Sequence, residues 1–223
     1  MKHRVFWDIE TGPNLEKVQK WLADNPFDPE KVALGNRKDP AKIEAYIAEK
    51  RDAYDREVYD KAALNPATAQ VLTIQSRFNG QSNLIANEDE KSLLEEFFGT
   101  VAPVAAKLIN WTGSNTRGNF DLNMICRRAW ALGVKVPVDL REIARDLAQD
   151  FLRFEAPSSH CGLERAAREL GIDVIDTPVT GKDFHKWWRG RMGVGSLEDQ
   201  RAAARAYALQ DVDLLEQIYD RIA

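Results

Sequence analysis

The stretch Arg4-Val5-Phe6-Trp7-Asp8-Ile9-Glu10-Thr11-Gly12-Pro13 decides how the rest of the chain is read. Residues 4–9 are short, apolar and aromatic, and Thr11-Gly12-Pro13 follows them, which predicts a first β-strand ended by a turn. Side chains alternate across a strand, so Asp8 and Glu10 share one face while Ile9 turns toward the core. Two anions side by side are unfavourable without a cation, and carboxylate oxygens are the ligands that Mg²⁺ and Mn²⁺ prefer. A solvated strand end can carry the same pattern, so this spacing alone leaves both readings open.

Working outward, residues 14–65 turn charged and helix-forming. Asp39 is the expected N-cap and Pro40 the first helical residue of a long helix bearing Ile43, Tyr46, Ile47, Tyr54 and Val58 at helical spacing. Residues 71–78 and 83–86 read as strands joined at Asn79-Gly80, a hairpin signal. A helix (89–98), a strand (107–111) and a helix (120–132, closed by Gly133) follow. The last third is expected to be helical over 140–151, over 163–170 closed by Gly171, and over 197–222. The expectation is one α/β domain over 1–223, with an N-terminal helical insertion at about 14–65 and a sheet begun by the first strand.

With 35 acidic and 31 basic residues in 223, a net charge of −4 and 44% apolar content, the composition is that of an ordinary globular protein. It excludes a disordered chain and a small disulfide scaffold. No run of eighteen apolar residues and no apolar N-terminal stretch occurs, so the expectation is a cytoplasmic protein that does not span a membrane. Cys126 and Cys161 lack C-x-x-C partners and read as core thiols in a reducing compartment. Mild acidity argues against gripping long duplexes by charge alone, but allows a local basic groove. Such a groove is suggested at 182–191, where Lys182, Lys186, Arg189 and Arg191 face one acid, Asp183, and flank Trp187 and Trp188. Cations mixed with exposed aromatics suit single-stranded nucleic acid; buried tryptophans beside a solvated charged face are the other reading. Gly190, Gly193 and Gly195 suggest a mobile loop near the substrate. His3 and His160 read as structural or exposed.

Two further pieces carry chemistry. Tyr207 and Asp211 lie four apart in the last helix and so share a face, while Asp213 points elsewhere and Leu214, Leu215 and Ile218 supply packing. Asp121 sits with Phe120 in the first turn of the helix after strand 107–111, preceded by Asn119 and, in the connecting loop, Asn115. A surface Tyr–Asp pair and a dipole-favoured aspartate are the bland readings of each. Loops beyond strand ends are also where open α/β sheets build sites.

In this order the pieces resemble the DEDD, or DnaQ-like, superfamily of 3′-to-5′ exonucleases. Asp8-Ile9-Glu10-Thr11-Gly12 is similar to its first motif, Asn115 through Phe120-Asp121 to its second, and Tyr207-x-x-x-Asp211 to its third. Alanine at 206, where a histidine branch needs histidine, places the resemblance with the tyrosine branch, which includes the exonuclease domain of family-B DNA polymerases. Gly118-Asn119-Phe120-Asp121-Leu122 with Arg127-Arg128-Ala129, Ala33-Leu34-Gly35-Asn36 and Ala62-Ala63-Leu64-Asn65-Pro66 further resemble stand-alone bacterial and phage relatives of that domain. Four residues separate Asn115 from Phe120, more than the motif usually has, so Asn119 rivals Asn115 as the motif asparagine.

The resemblance implies a ribonuclease-H-like mixed sheet flanked by helices. It implies two Mg²⁺ or Mn²⁺ ions held by Asp8, Glu10, Asp121 and Asp211, with Tyr207 orienting water. It also implies hydrolysis of the terminal phosphodiester at single-stranded DNA 3′ ends to nucleoside 5′-monophosphates. The alternatives are RNA 3′ ends, or a catalytically silent nucleic-acid-binding module. Asn115, Phe120, Lys186, Trp187 and Arg189 are the expected substrate-binding residues, and a proofreading role would call for a polymerase or repair partner in trans.

Overall fold

The computed structural model describes residues 3–101, 103, 105–112, 119–137, 140–156 and 159–222. In chain order the strands are β1 (His3–Pro13), β2 (Ala69–Phe78), β3 (Gln81–Ala86), β4 (Ala105–Asn110) and β5 (Ala144–Asp146). The helices are α1 (Leu15–Asp24), α2 (Pro40–Ala63), α3 (Glu90–Thr100), α4 (Phe120–Ala131), α5 (Leu140–Ile143), α6 (Leu147–Phe151), α7 (Leu163–Glu169), α8 (Phe184–Trp188) and α9 (Leu197–Ile222).

The sheet order is β3-β2-β1-β4-β5. β4 runs parallel to both β1 and β5, and β2 and β3 are antiparallel, so the sheet is mixed. The β2–β3 turn is made by Asn79 and Gly80, both left-handed (φ 52° and 74°), the conformation that favours this dipeptide in a two-residue hairpin. β1 sits centrally, with Val5 and Trp7 fully buried. On one face Phe6 joins Ile109, Leu147, Ala166, Leu214, Leu215 and Ile218 in a core cluster, and on the other Trp7 meets Phe97 of α3. Strand alternation therefore puts Asp8 and Glu10 on the α9 side. A buried fork from Arg128 to Glu90, whose Oε1 also accepts from the Val71 amide, ties α3, α4 and β2 together.

Two expectations are corrected. β1 continues through Gly12 and Pro13, because the chain leaves the sheet at Asn14, which caps α1 by accepting from the Lys17 amide at 3.1 Å. The single helix expected over 140–151 is divided by β5, whose three residues pair with Leu108–Asn110 of β4. Ala-Arg-Asp is locally compatible with helix, and a sheet edge seeking partners overrides that weak preference. Asp146 then caps α6 through the Ala148 amide.

The chain divides into two compact units, Met1–Thr11 with Val71–Ala223, and Gly12–Gln70. The second contains the residues read as an insertion. In it Asp39 caps α2 and Pro40 opens it, as expected, and the Tyr54 hydroxyl donates to the Asn25 carbonyl at 2.9 Å beside Trp21 and Phe27. No helix among the described residues is long and apolar enough to cross a membrane. Both cysteines are free and buried.

Candidate metal centre

Three carboxylates converge where β1 meets α9. Asp8, Glu10 and Asp211 each offer an oxygen, and these oxygens lie within 4.8 Å of one another. α9 delivers Asp211 because Ala204, Ala208, Val212 and Leu215 bury one stripe of the helix, leaving Asp211 at the edge of that stripe. One turn earlier on the same face, Tyr207 lies near enough to Asp211 for its hydroxyl to stabilise the carboxylate and lower its pKa. Asp213 points away, accepting from Arg77 and Ser82 of the β2–β3 hairpin.

Asp121 arrives from β4 and α4. Its Oδ2 accepts from Asn110 Nδ2 at 2.7 Å, and the Asn110 amide also exchanges hydrogen bonds with Asn119 at 2.9 and 2.6 Å. Asn119 caps α4 by accepting from the Leu122 amide, so one asparagine pair fixes both the helix start and the aspartate in its first turn. Asp121 is outside the 4.8 Å triplet, yet close enough for Asp8 to raise its pKa by repulsion.

Burial is the main reason that all four carboxyl groups titrate above their ordinary range. For Asp8, repulsion from Asp211 adds to it, against hydrogen bonds from Gln75 and the Ile9 amide. For Glu10 the added repulsion comes from Asp8, Asp211 and Asp121. Asp211 is pushed up to about 7 by burial and then by Glu164, with the Tyr207 hydrogen bond opposing. The Tyr207 phenol is itself raised, by burial and by Asp211, Glu10 and Asp8, so it stays protonated near neutrality and acts as a hydrogen-bond donor. Among the described residues none of the four carboxylates pairs with a lysine or arginine. An all-oxygen donor set, buried, mutually repelling and without a protein counter-charge, fits a hard divalent cation such as Mg²⁺ or Mn²⁺.

The carboxylates open into a cleft of about 650 Å³ whose walls include Trp111, Thr112, His160, Glu164, Arg168, Thr180 and Gly181. Four residues here escaped sequence reasoning. Gln75, fully buried in β2, donates through Nε2 to Asp8 Oδ2 and accepts from Thr73. Asn110 holds Asp121, and Glu164 faces Asp211 and Tyr207 electrostatically. Gly181 lies so close that a Cβ there would stand 3.3 Å from the Tyr207 hydroxyl. A glutamine following Val71-Leu72-Thr73-Ile74 in the strand read over 71–78 is the one signal that marked such a residue in the sequence.

The expected substrate contacts fare unevenly. Asn115 lies outside the described residues. Phe120 is half-buried at the start of α4 beside Asp121. Trp187 is corrected: it is buried among Leu72, Val179, Phe184, Ala204 and Ala208, because its side of α8 packs on α9, and its ring offers no face to a base. Lys186 and Arg189 are half-buried, and burial lowers the Arg189 pKa. The glycines at 190, 193 and 195 each adopt left-handed φ (67°, 72° and 64°), so the backbone conformation itself calls for them. Compared with protein-family models and with curated proteins, the chain matches none.

Proposed function

We propose that the protein is a metal-dependent 3′-to-5′ exonuclease with a ribonuclease-H-like sheet, hydrolysing the terminal phosphodiester of single-stranded DNA to release nucleoside 5′-monophosphates. The observation that carries this reading is the meeting of Asp8, Glu10 and Asp211 within 4.8 Å, with Asp121 beside them and Tyr207 on Asp211. The strand order β3-β2-β1-β4-β5, with the carboxylates at the C-terminal end of parallel strands and on the last helix, supports it. So does the order of the three motifs along the chain.

In this mechanism Asp8, Glu10 and Asp211, with Asp121, would hold divalent cations. Held there, such ions supply Lewis-acid stabilisation of the negative charge that develops on the phosphoryl oxygens. Gln75 fixes Asp8, and Asn110 fixes Asp121, so the carboxylates are aimed before substrate arrives. Tyr207 orients rather than deprotonates: its raised pKa leaves the phenolic proton in place, and its hydroxyl can position an attacking water or a non-bridging oxygen. The cleft walls at Trp111, Thr180 and Gly181 limit the space in which a terminal nucleotide can lie.

The test incubates purified protein with matched 5′-labelled DNA and RNA oligonucleotides in Mg²⁺, Mn²⁺ or EDTA, beside Asp8→Ala. The expected result is a ladder shortening from the 3′ end of DNA, lost with EDTA and with the variant. Preferential shortening of RNA would move the substrate to RNA ends, and retained binding without cleavage under either metal would reduce the protein to a binding module.

A further inference from the structure

Around Trp188, at the junction of α8 with the first turns of α9, the molecule carries a second organised cluster. The Trp188 ring stacks nearly parallel on Phe184 (centroids 5.8 Å, 12°), and Phe184 in turn lies 6.3 Å from the Tyr207 ring. Two guanidinium groups from successive turns of α9 approach the same indole, Arg201 at 5.6 Å and Arg205 at 5.9 Å from its centroid. Arg201 also donates to the Trp188 carbonyl at 3.0 Å and meets the exposed Glu88 at 3.2 Å. Arg205 is exposed, and among the described residues its guanidinium has no hydrogen-bond or ion-pair partner. The two arginines line a surface groove of about 560 Å³ with Leu197, Glu198 and Ala202.

Lys186 and Arg191 stand at the same junction. The Arg191 amide donates to the Lys186 carbonyl at 2.8 Å, and Met192 to Gln200 of α9 at 3.0 Å. The connecting turn is close-packed: Gly190 has φ 67°, and a Cβ on it would come within 2.8 Å of Leu197. Neither Lys186 nor Arg191 has an ion-pair partner among the described residues. Two cations thus sit over one indole, Arg201 paired and Arg205 not, with Lys186 and Arg191 on the adjoining turn.

We propose that this surface, formed by Arg201 and Arg205 over Trp188 with Lys186 and Arg191 on the adjoining turn, is the track for the phosphates of single-stranded nucleic acid whose 3′ end occupies the carboxylate cleft. The proposal rests on the exonuclease reading and extends it to the strand behind the reacting end. A guanidinium held near an indole by cation–π attraction loses less side-chain entropy on binding, and Arg205, exposed and unpaired among the described residues, keeps its N–H groups available for phosphate contact. Trp188 therefore acts as the platform that orders the arginines rather than as a base-stacking face. Two ring-to-ring steps, through the fully buried Phe184, separate Trp188 from Tyr207, so the track lies close to the cleft with core between them. The chain's overall charge of −4 makes a local row of unpaired cations the more selective for a polyanion.

The test compares wild type, Arg205→Gln, Arg201→Gln/Arg205→Gln and Arg205→Lys, each checked by thermal melting. Oligonucleotide binding is measured in EDTA by fluorescence anisotropy across a salt series, and cleavage KM for a trinucleotide and a 20-mer. For the double variant the slope of log K against log salt should flatten by about 1.4, the value for two phosphate contacts on a single strand. Wild type is expected to prefer the 20-mer over the trinucleotide by roughly tenfold in KM and the double variant by about twofold, with Arg205→Lys retaining part of the difference. Arg205→Gln alone guards against an effect of Arg201 on the fold, and should flatten the slope by about 0.7. If the double variant folds and both its salt slope and its length preference match wild type, the track is elsewhere. Equal displacement of oligonucleotide by poly-glutamate of matched length would also overturn the proposal, in favour of an acidic protein partner. If wild type cleaves nothing yet binds oligonucleotide with an Arg205-dependent slope, the track stands and the exonuclease reading fails.

Discussion

The carboxylate end of β1 and the basic run 182–191 were both marked by composition, yet they behave differently in the folded chain. At β1 the residues carry a direction: alternate positions on a strand must face alike, and Asp8 and Glu10 do meet Asp211. In the basic run the residues carry only a kind. α8 has five residues, and whether Trp187 or Trp188 faces inward depends on what lies beneath it. α9 lies there, presenting Ala204 and Ala208, and it takes Trp187 into the core. A motif embedded in a long periodic element is legible from sequence, whereas one on a short helix waits on the packing.

The strongest way to break this comparison is at the carboxylate end. On the proposed exonuclease function, Asp211→Ala should lower cleavage by more than ~10³-fold in a gel assay of 5′-labelled DNA, since it would remove both a proposed cation ligand and the partner of Tyr207. The fold should survive, because in metal-free protein the substitution relieves repulsion among buried acids. Near-normal cleavage would remove the triplet from the chemistry and leave it a buried acidic cluster.

The second way is at the tryptophans. Trp187→Ala should cost about 3–5 kcal/mol in a urea melt, the usual penalty for emptying an aromatic site in a core. Trp188→Ala should cost about 1 kcal/mol or less, while weakening oligonucleotide affinity through the arginines it orders. If instead Trp187→Ala left stability untouched and abolished binding, the ring would be a stacking face after all.

Much of the fold and the centre of the site were readable in advance for the same reason: long elements with clear periods and caps. Asp39-Pro40, Asn79-Gly80, Gly133 and Gly171 each state a local backbone requirement that the structure meets. β5 was not readable, because its three residues become a strand only by pairing with β4. Gln75 and Asn110 were passed over for a related reason. An amide in an apolar strand announces that it needs a partner, but the partners, Asp8 and Asp121, lie 67 and 11 residues away and are supplied by topology alone. Glu164 and Gly181 belong to the same class, being brought beside Asp211 and Tyr207 by the fold rather than marked by spacing.

The smallest effect asks whether the two regions differ in electrostatics as well as in legibility. Asp211 titrates near 7 when folded against about 4 in an unfolded chain, so between those values the folded state holds a proton that the unfolded state has lost. Its contribution to stability is full below about pH 4 and disappears as pH rises through about 7. Asp8, Glu10 and Asp121 are raised as well and act in the same direction. The metal-free protein should therefore melt roughly 5 °C lower at pH 8 than at pH 5. Added Mg²⁺ should recover much of that at pH 8 and little at pH 5, because only ionised carboxylates bind it. Asp211→Asn should flatten the pH dependence, whereas Arg205→Gln, in the exposed basic region, should leave it unchanged. Scanning calorimetry at both pH values, with and without Mg²⁺, measures all of these; a Mg²⁺ effect equal at the two pH values would mean that the ion is not held by the buried acids.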